Sequence, residues 1–289
     1  MHVISRPVRA GGEASEIFAP NLLAGQVALV TGGGTGLGRA TALELARCGA
    51  AVAIAGRRVD VLKETIADAG ELGGSLDAYV GDIRERDEAR RLVGEVLERH
   101  GRLDVLVNNA GGQFFSPAEL ISANGWRAVW RLNVGGMLNM SEAAFELALE
   151  GAGGGAIVNV TLSPHHGMPG MAHSGSARAT VEALTREHAE RWADAGVTVT
   201  AIAVGVFETD ALGKYPANVR AGMSRTVPLQ RLGAAEEHAW LVALLSSPLG
   251  AALSGATITL DGARDNWWGA WPPPGLADES GEVPVEERK

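Results

Sequence analysis

A doubly wound α/β architecture, built on a seven-stranded parallel sheet flanked by helices, is predicted by three features of the sequence. Between residues 27 and 260, short apolar runs alternate with longer segments of helical periodicity, the pattern of βαβ units. The first run, Val27-Ala28-Leu29-Val30, carries no charge and leads into Thr31-Gly32-Gly33-Gly34-Thr35-Gly36-Leu37-Gly38, after which a helical pattern begins. The 289 residues, 46% of them hydrophobic, suffice for one large core and suit a single doubly wound domain.

In chain order, residues 1–24 form an N-terminal arm, with Pro7, Gly11, Gly12 and Pro20 among polar runs and only Ile17, Phe18, Leu22 and Leu23 to pack. The main domain is expected over residues 25–263. Its strands are placed at 27–31, 52–55, 76–80, 105–108, 157–161, 197–203 and 257–260, each an apolar or β-branched run of strand length. Helices fill the gaps at 37–48, 59–69, 86–100, 125–149, 175–194 and 235–245, where apolar residues return with helical spacing. A segment at 205–231 is expected to cover the substrate. Beyond Asp261-Gly262, residues 264–289 form a tail: first Trp267, Trp268 and Trp271 with a proline run, expected to pack on the body or another subunit, then an acidic disordered end.

Composition excludes several functions. The formal charge is −9 with no block of basic residues, so the footprint of a nucleic-acid binder is absent. The lone cysteine, Cys48, rules out an intramolecular disulfide or a multi-cysteine metal site and is read as a small buried residue. No apolar run reaches membrane-spanning length, no leader pattern is visible, and Glu286-Glu287-Arg288-Lys289 is not a peroxisomal address. A soluble, cytoplasmic protein without membrane contact is expected.

In sheets of this kind ligands bind outside the C-terminal strand ends. After the first strand, Thr31, Gly32, Gly34, Thr35, Gly36, Leu37 and Gly38 are placed as a floor for a dinucleotide pyrophosphate. Glycine there permits close backbone approach, and the following helix aims free N–H groups at the phosphates. Arg57 and Arg58 follow the second strand, where a carboxylate would bind a ribose 2′-hydroxyl; arginine suits a 2′-phosphate instead, so NADPH is preferred over NADH. Asp82 and Ile83 are placed at the adenine ring. Asn108-Asn109-Ala110-Gly111 lines the adenosine side. His165-His166 is a pair without a third ligand, better suited to an exposed loop than to metal.

With these motifs and Leu132-Asn133-Val134-Gly135 in order, residues 23–262 resemble the short-chain dehydrogenase/reductase family. The resemblance implies a Rossmann fold, a nicotinamide cofactor, a homodimer or homotetramer, and a catalytic Asn-Ser-Tyr-Lys set. Aligning Val181-Glu182-Ala183-Leu184-Thr185 on the family pattern puts Ser174 where the tyrosine belongs and Arg178 where the lysine belongs. Ser174 is too weak an acid to replace a phenol. Arg178 can keep the lysine's charge and its hydrogen bonds to the nicotinamide ribose. The family serine is displaced, leaving Thr161 or Ser163, and Asn133 matches the family asparagine. Gly205 and Thr209 complete the implied cofactor set, Thr209 offering a hydroxyl to the carboxamide or phosphates.

Two stretches, Gly111-Gly112-Gln113-Phe114-Phe115-Ser116-Pro117-Ala118-Glu119 and Ala172-His173-Ser174-Gly175-Ser176-Ala177-Arg178-Ala179, resemble the trans-2-enoyl-CoA reductase and 2,4-dienoyl-CoA reductase branch. That resemblance implies NADPH-dependent saturation of a trans-2-enoyl-CoA or related acyl thioester. The thioester oxygen would be held by Asn133, Thr161 or Ser163, and His173 or Ser174. Tyr215 or a bound water would give the α-carbon its proton, unless Tyr215 only packs an acyl chain. Lys214, Arg220, Arg225 and Arg231 are candidates for the anionic CoA moiety. A carbonyl or 3-oxoacyl reductase with another proton donor and an inactive NADP(H)-binding scaffold are the alternatives.

Overall fold

Strand β1 (Val27–Thr31) is buried along its whole length, as five uncharged residues allow, and takes an interior place in the sheet. From it the chain winds outward through α1 (Gly36–Arg47), β2 (Ala51–Gly56), α2 (Val59–Ala69) and β3 (Ser75–Val80). It then returns through α3 (Arg86–His100) to β4 (Val105–Asn108) on the opposite side of β1. A long helical stretch follows: α4 (Ala123–Trp130), a π-helical turn Arg131–Gly135, α5 (Gly136–Ala144), a second π turn Phe145–Leu149 and α6 (Glu150–Ala152). Next come β5 (Gly155–Leu162), α7 (Ala172–Arg191) and β6 (Val197–Val204). After β7 (Phe207–Glu208), α8 (Ala217–Met223) and β8 (Gly233–Ala234), the chain closes with α9 (Ala235–Leu245) and β9 (Thr257–Leu260). The main sheet has seven parallel strands in the order β3-β2-β1-β4-β5-β6-β9. This computed structural model describes residues 14–70, 72, 74–167, 170–214 and 217–266.

Strand alternation sends side chains to two cores. Ala28 and Val30 join Leu45, Val242 and Leu245 under α1 and α9, whereas Val27 and Leu29 join Leu92, Val93, Met140 and Ala144 under α3 and α5. Each such Leu or Val, fully buried, contributes about 1.5–3 kcal/mol of transfer free energy, which is why both faces must be covered. Cys48 lies in the first core, where burial pushes its thiol up to about 12. Among the described residues, no helix is long and apolar enough to cross a membrane.

The structure adds detail that periodicity could not supply. The helix expected at 125–149 starts earlier and widens at Asn133, whose amide donates to the Val129 carbonyl one turn back (2.8 Å) while Gly136 N–H reaches Arg131 O. Helix α7 begins at Ala172, ahead of the glycine that suggested a start at 175. The two-stranded pair β7-β8 and helix α8 were not expected. In the N-terminal arm, Leu23 is buried and its N–H bonds Cys48 O (2.8 Å), so residues near 23 belong to the core. The tryptophans at 267, 268 and 271 and the acidic end lie outside the described residues.

Candidate cofactor and substrate cleft

The sheet order reverses between β1 and β4, and a cleft of about 210 Å³ opens at their C-terminal ends. Thr31 ties the two strand ends together. Its hydroxyl donates to Val107 O (3.2 Å) and accepts from the N–H groups of Asn109 (3.1 Å) and Ala110 (3.0 Å). Asn109 returns a bond from Nδ2 to Thr31 O (2.9 Å). Below, Asn108 donates to Ser141 and Asn159, and Asn159 to Thr185, each at 2.9 Å, so a buried polar ladder joins β4, β5, α5 and α7.

The glycines form the floor by contact. A Cβ at Gly38 would lie 2.3 Å from Gly32 O and 2.4 Å from Asn109 Nδ2, and Gly32 itself has φ +69°. Gly34 turns away from the cleft, toward Val61, while Gly36 faces Thr209 of the segment above it. Leu37 packs on the core, leaving its backbone to the loop. Thr35 lines the cleft and caps α1 without spending its hydroxyl on the helix.

At the adenosine end, Arg57, Asp82, Ile83, Ala110 and Gly111 line the cleft; Arg58, at the start of α2, is exposed beside it. Asp82 is already engaged: Arg84 donates to it from the backbone (3.1 Å) and from Nε (2.9 Å), which holds its carboxyl below the usual range, with Arg57 adding to the effect. Ile83 is buried beneath Gly136.

At the other end, α7 presents Ser174 and Arg178 on one face. Ser174 donates to Gln113 Oε1 (2.7 Å), which fixes the orientation of the Gln113 amide. Arg178 Nη1 donates to Val160 O (2.6 Å); its Nε is enclosed and has no hydrogen-bond partner among the described residues. The guanidinium presses on Gly111, where a Cβ would meet Nη2 at 2.3 Å. Desolvation pulls its pKa down to about 10, opposed by Glu182 one turn further on. A glycine cradle, a basic rim and an unspent guanidinium nitrogen suit an elongated anionic group such as a nicotinamide dinucleotide.

Several residues expected in direct substrate contact are engaged by partners within the protein. Asn133 gives its amide hydrogens to Gly112 O and Val129 O (both 2.8 Å) and accepts from Gly112 N–H (3.2 Å), so it braces the loop before Gln113. Thr161 is buried and donates to Glu182 (2.8 Å). Ser163 donates to Asp261, and Gly205 packs on the same Asp261. His173 is enclosed with Phe114 (ring centroids 4.3 Å apart) and Trp126 (6.1 Å), and burial holds its pKa below the ordinary value. Arg231 is paired with Glu237 through both guanidinium nitrogens (2.7 and 2.8 Å). Tyr215 lies outside the described residues, as does the side chain of Lys214. His165 and His166 lie close to Asp265, and no metal-holding group of three is found among the described residues.

Two residues had escaped notice as site residues. Gln113 meets Ser174 across 61 positions, which no local pattern reveals. Glu182 stands four residues beyond Arg178 on the same helix, a spacing that could have been read as a pair.

Comparison with known proteins agrees with this geometry. Residues 26–220 match the family model described as short chain dehydrogenase. A peroxisomal 2,4-dienoyl-CoA reductase from Arabidopsis thaliana is 35% identical over 256 residues, covering 85% of this chain and 86% of that protein. A 3-oxoacyl-[acyl-carrier-protein] reductase from Thermotoga maritima is 32% identical over 241 residues, covering 83% and 98%. Among solved structures, a citronellol catabolism dehydrogenase from Pseudomonas aeruginosa is 40% identical with a TM-score of 0.78, covering 86% of this chain and 98% of that one.

Proposed function

The chain belongs to the short-chain dehydrogenase family, an oxidoreductase family that uses a nicotinamide cofactor, and from that premise we propose that it reduces the C=C bond of a trans-2-enoyl-CoA or related enoyl thioester with NADPH. The observation that carries the reading is the Ser174–Gln113 pair beside Arg178, where the resemblance leads one to look for a tyrosine and a lysine. Reducing a ketone leaves an alkoxide that needs a proton on oxygen, and neither a serine hydroxyl nor an amide supplies one readily. Reducing a conjugated C=C bond leaves an enolate, whose oxygen needs only hydrogen-bond donors and whose α-carbon takes the proton. The dienoyl-CoA reductase relatives support this choice.

NADPH, when bound, supplies hydride to the β-carbon. The residues of the chain do the rest. Backbone N–H groups at Gly32–Gly38 receive the pyrophosphate, with Thr35 and Thr209 adding hydroxyls. Arg57 and Arg58 meet the 2′-phosphate; Asp82, Ile83, Asn109, Ala110 and Gly111 enclose the adenosine. Arg178 holds the nicotinamide ribose through the nitrogens not spent on Val160. Gln113, oriented by Ser174, donates to the thioester oxygen as negative charge develops there, and Asn133 keeps the Gln113 loop in place. Tyr215 or a water delivers the α-carbon proton.

The test is to incubate the purified protein with NADPH and a panel of trans-2-enoyl-CoAs and 3-oxoacyl-CoAs, identifying products by mass. Turnover of the enoyl series with a mass gain of two hydrogens is expected. Turnover of the 3-oxo series alone, as the Thermotoga maritima relative's name suggests for that protein, would overturn the proposal. The cofactor choice has its own check: Arg57→Ala should raise the KM for NADPH about tenfold while leaving that for NADH within about twofold, since only the former offers a phosphate to the guanidinium. Equal changes would refute NADPH preference.

A further inference from the structure

Behind Arg178, away from the cleft, charges alternate in a line. Glu182 Oε1 accepts from Thr161 (2.8 Å), and its Oε2 lies 3.3 Å from His165 Nε2. His165 Nδ1 lies 2.6 Å from Asp265 Oδ2, and His165 N–H donates to Asp265 Oδ1 at 2.6 Å. The Glu182 side chain is 11% exposed and that of His165 36%, so the line runs from a nearly enclosed carboxylate to an imidazole in reach of solvent. His165 and Glu182 border a separate cavity of about 400 Å³, formed with Leu162, Met171 and Ala179 on the neighbouring face of α7. None of these groups lines the cofactor cleft, yet Glu182 is the charge that offsets Arg178.

We propose that Glu182, His165 and Asp265 are positioning residues that set the field of Arg178 at the cofactor, so that NADPH affinity follows the protonation of His165. The inference rests on the reading that Arg178 faces bound NADPH. When His165 is charged, it shares Glu182 and Asp265, and more of the Arg178 field reaches the anionic cofactor. Once His165 is neutral, Glu182 opposes Arg178 unshared, and the attraction weakens.

Among the described residues, His166, Asp261 and Arg264 are the other titratable groups near His165 and Asp265. His166 Nδ1 lies 3.6 Å from Asp265 Oδ1. Asp261 accepts the Asp265 N–H at 2.7 Å and the Arg264 N–H at 3.0 Å, and also holds Ser163. Burial of His165 opposes its charge, but Asp265 and Glu182 outweigh it and raise its pKa above the ordinary 6.5. The sign follows: the stabilising pairing is fully present below pH 6.5 and is lost as pH rises through the higher folded value.

The experiment is calorimetric measurement of the NADPH Kd from about pH 6 to 9, spanning the histidine range, for the unsubstituted protein, His165→Asn and Asp265→Asn. In the unsubstituted protein Kd should rise roughly three- to tenfold across the His165 titration. His165→Asn should remove that rise, and Asp265→Asn should move it to lower pH. The phosphate of NADPH titrates near pH 6, by about the same amount in all three proteins, and cancels in the comparison. A His165→Asn profile identical to that of the unsubstituted protein overturns the proposal, and so does an unshifted Asp265→Asn profile. Absence of NADPH binding by the unsubstituted protein at every pH overturns the cofactor reading instead and takes the proposal with it.

Discussion

Gly38→Ala should raise the dissociation constant for the nicotinamide cofactor by about 10- to 100-fold, the equivalent of about 1.4–2.7 kcal/mol. The added methyl would sit 2.3 Å from Gly32 O and 2.4 Å from Asn109 Nδ2. The first contact is with backbone, so it cannot be relieved by a rotamer change. Either the loop between β1 and α1 lifts, or Asn109 gives up its bond to Thr31 O (2.9 Å), and either movement deforms the floor on which the pyrophosphate would lie. Overpacking of this kind costs about 1–3 kcal/mol. Part of that cost will appear as a lower Tm, at about 2–4 °C per kcal/mol for a domain of this size. Gly34→Ala is the control: its methyl would press on Val61, on the far side of the loop, and should cost stability with a smaller change in affinity. Fluorescence titration with NADPH separates the two. An unchanged Kd in a folded Gly38→Ala protein would show that the cofactor lies elsewhere.

How much of this was legible in the sequence depends on how far apart the interacting residues lie. The sheet was readable because its determinants are local: the charge-free run at β1, the glycines after it, and helices of ordinary period between strands. The position of the cleft followed from strand order at β1 and β4. Hydroxyl directions did not. Thr161 near the end of β5 and Ser163 just beyond it were both reasonable substrate ligands, yet Thr161 is taken by Glu182 and Ser163 by Asp261, 98 positions away. Asn133 was expected in contact with substrate, but its amide is used up on Gly112 and Val129, a choice made by a helix that widens there. Gln113 acquires its meaning only from Ser174, which a different element carries. Glu182 is the exception, since a glutamate four residues after a cleft arginine is a local signal.

Arg178→Ala is expected to lower kcat/KM by about 100-fold or more and to weaken NADPH binding, because one substitution removes both the charge proposed to meet the ribose and the bond to Val160 O. The same change also destabilises the fold, and the two effects must be told apart. Glu182 would lose the cation one helical turn away while keeping Thr161 and His165, and a nearly enclosed carboxylate without that opposing charge lowers stability. Adding Glu182→Gln to Arg178→Ala removes the unpaired charge yet still accepts from Thr161, so the double variant should regain most of the lost Tm. It should not regain turnover, since the guanidinium is still missing from the cleft. Arg178→Lys separates charge from shape: an ammonium can restore the field at the cofactor, but not a planar fork that bonds Val160 and presses on Gly111 at once. Partial recovery of NADPH affinity with kcat still reduced is therefore the expected pattern. If the double variant recovered kcat/KM along with Tm, Arg178 would be a structural counterion to Glu182, and its place at the nicotinamide ribose would have to be given up.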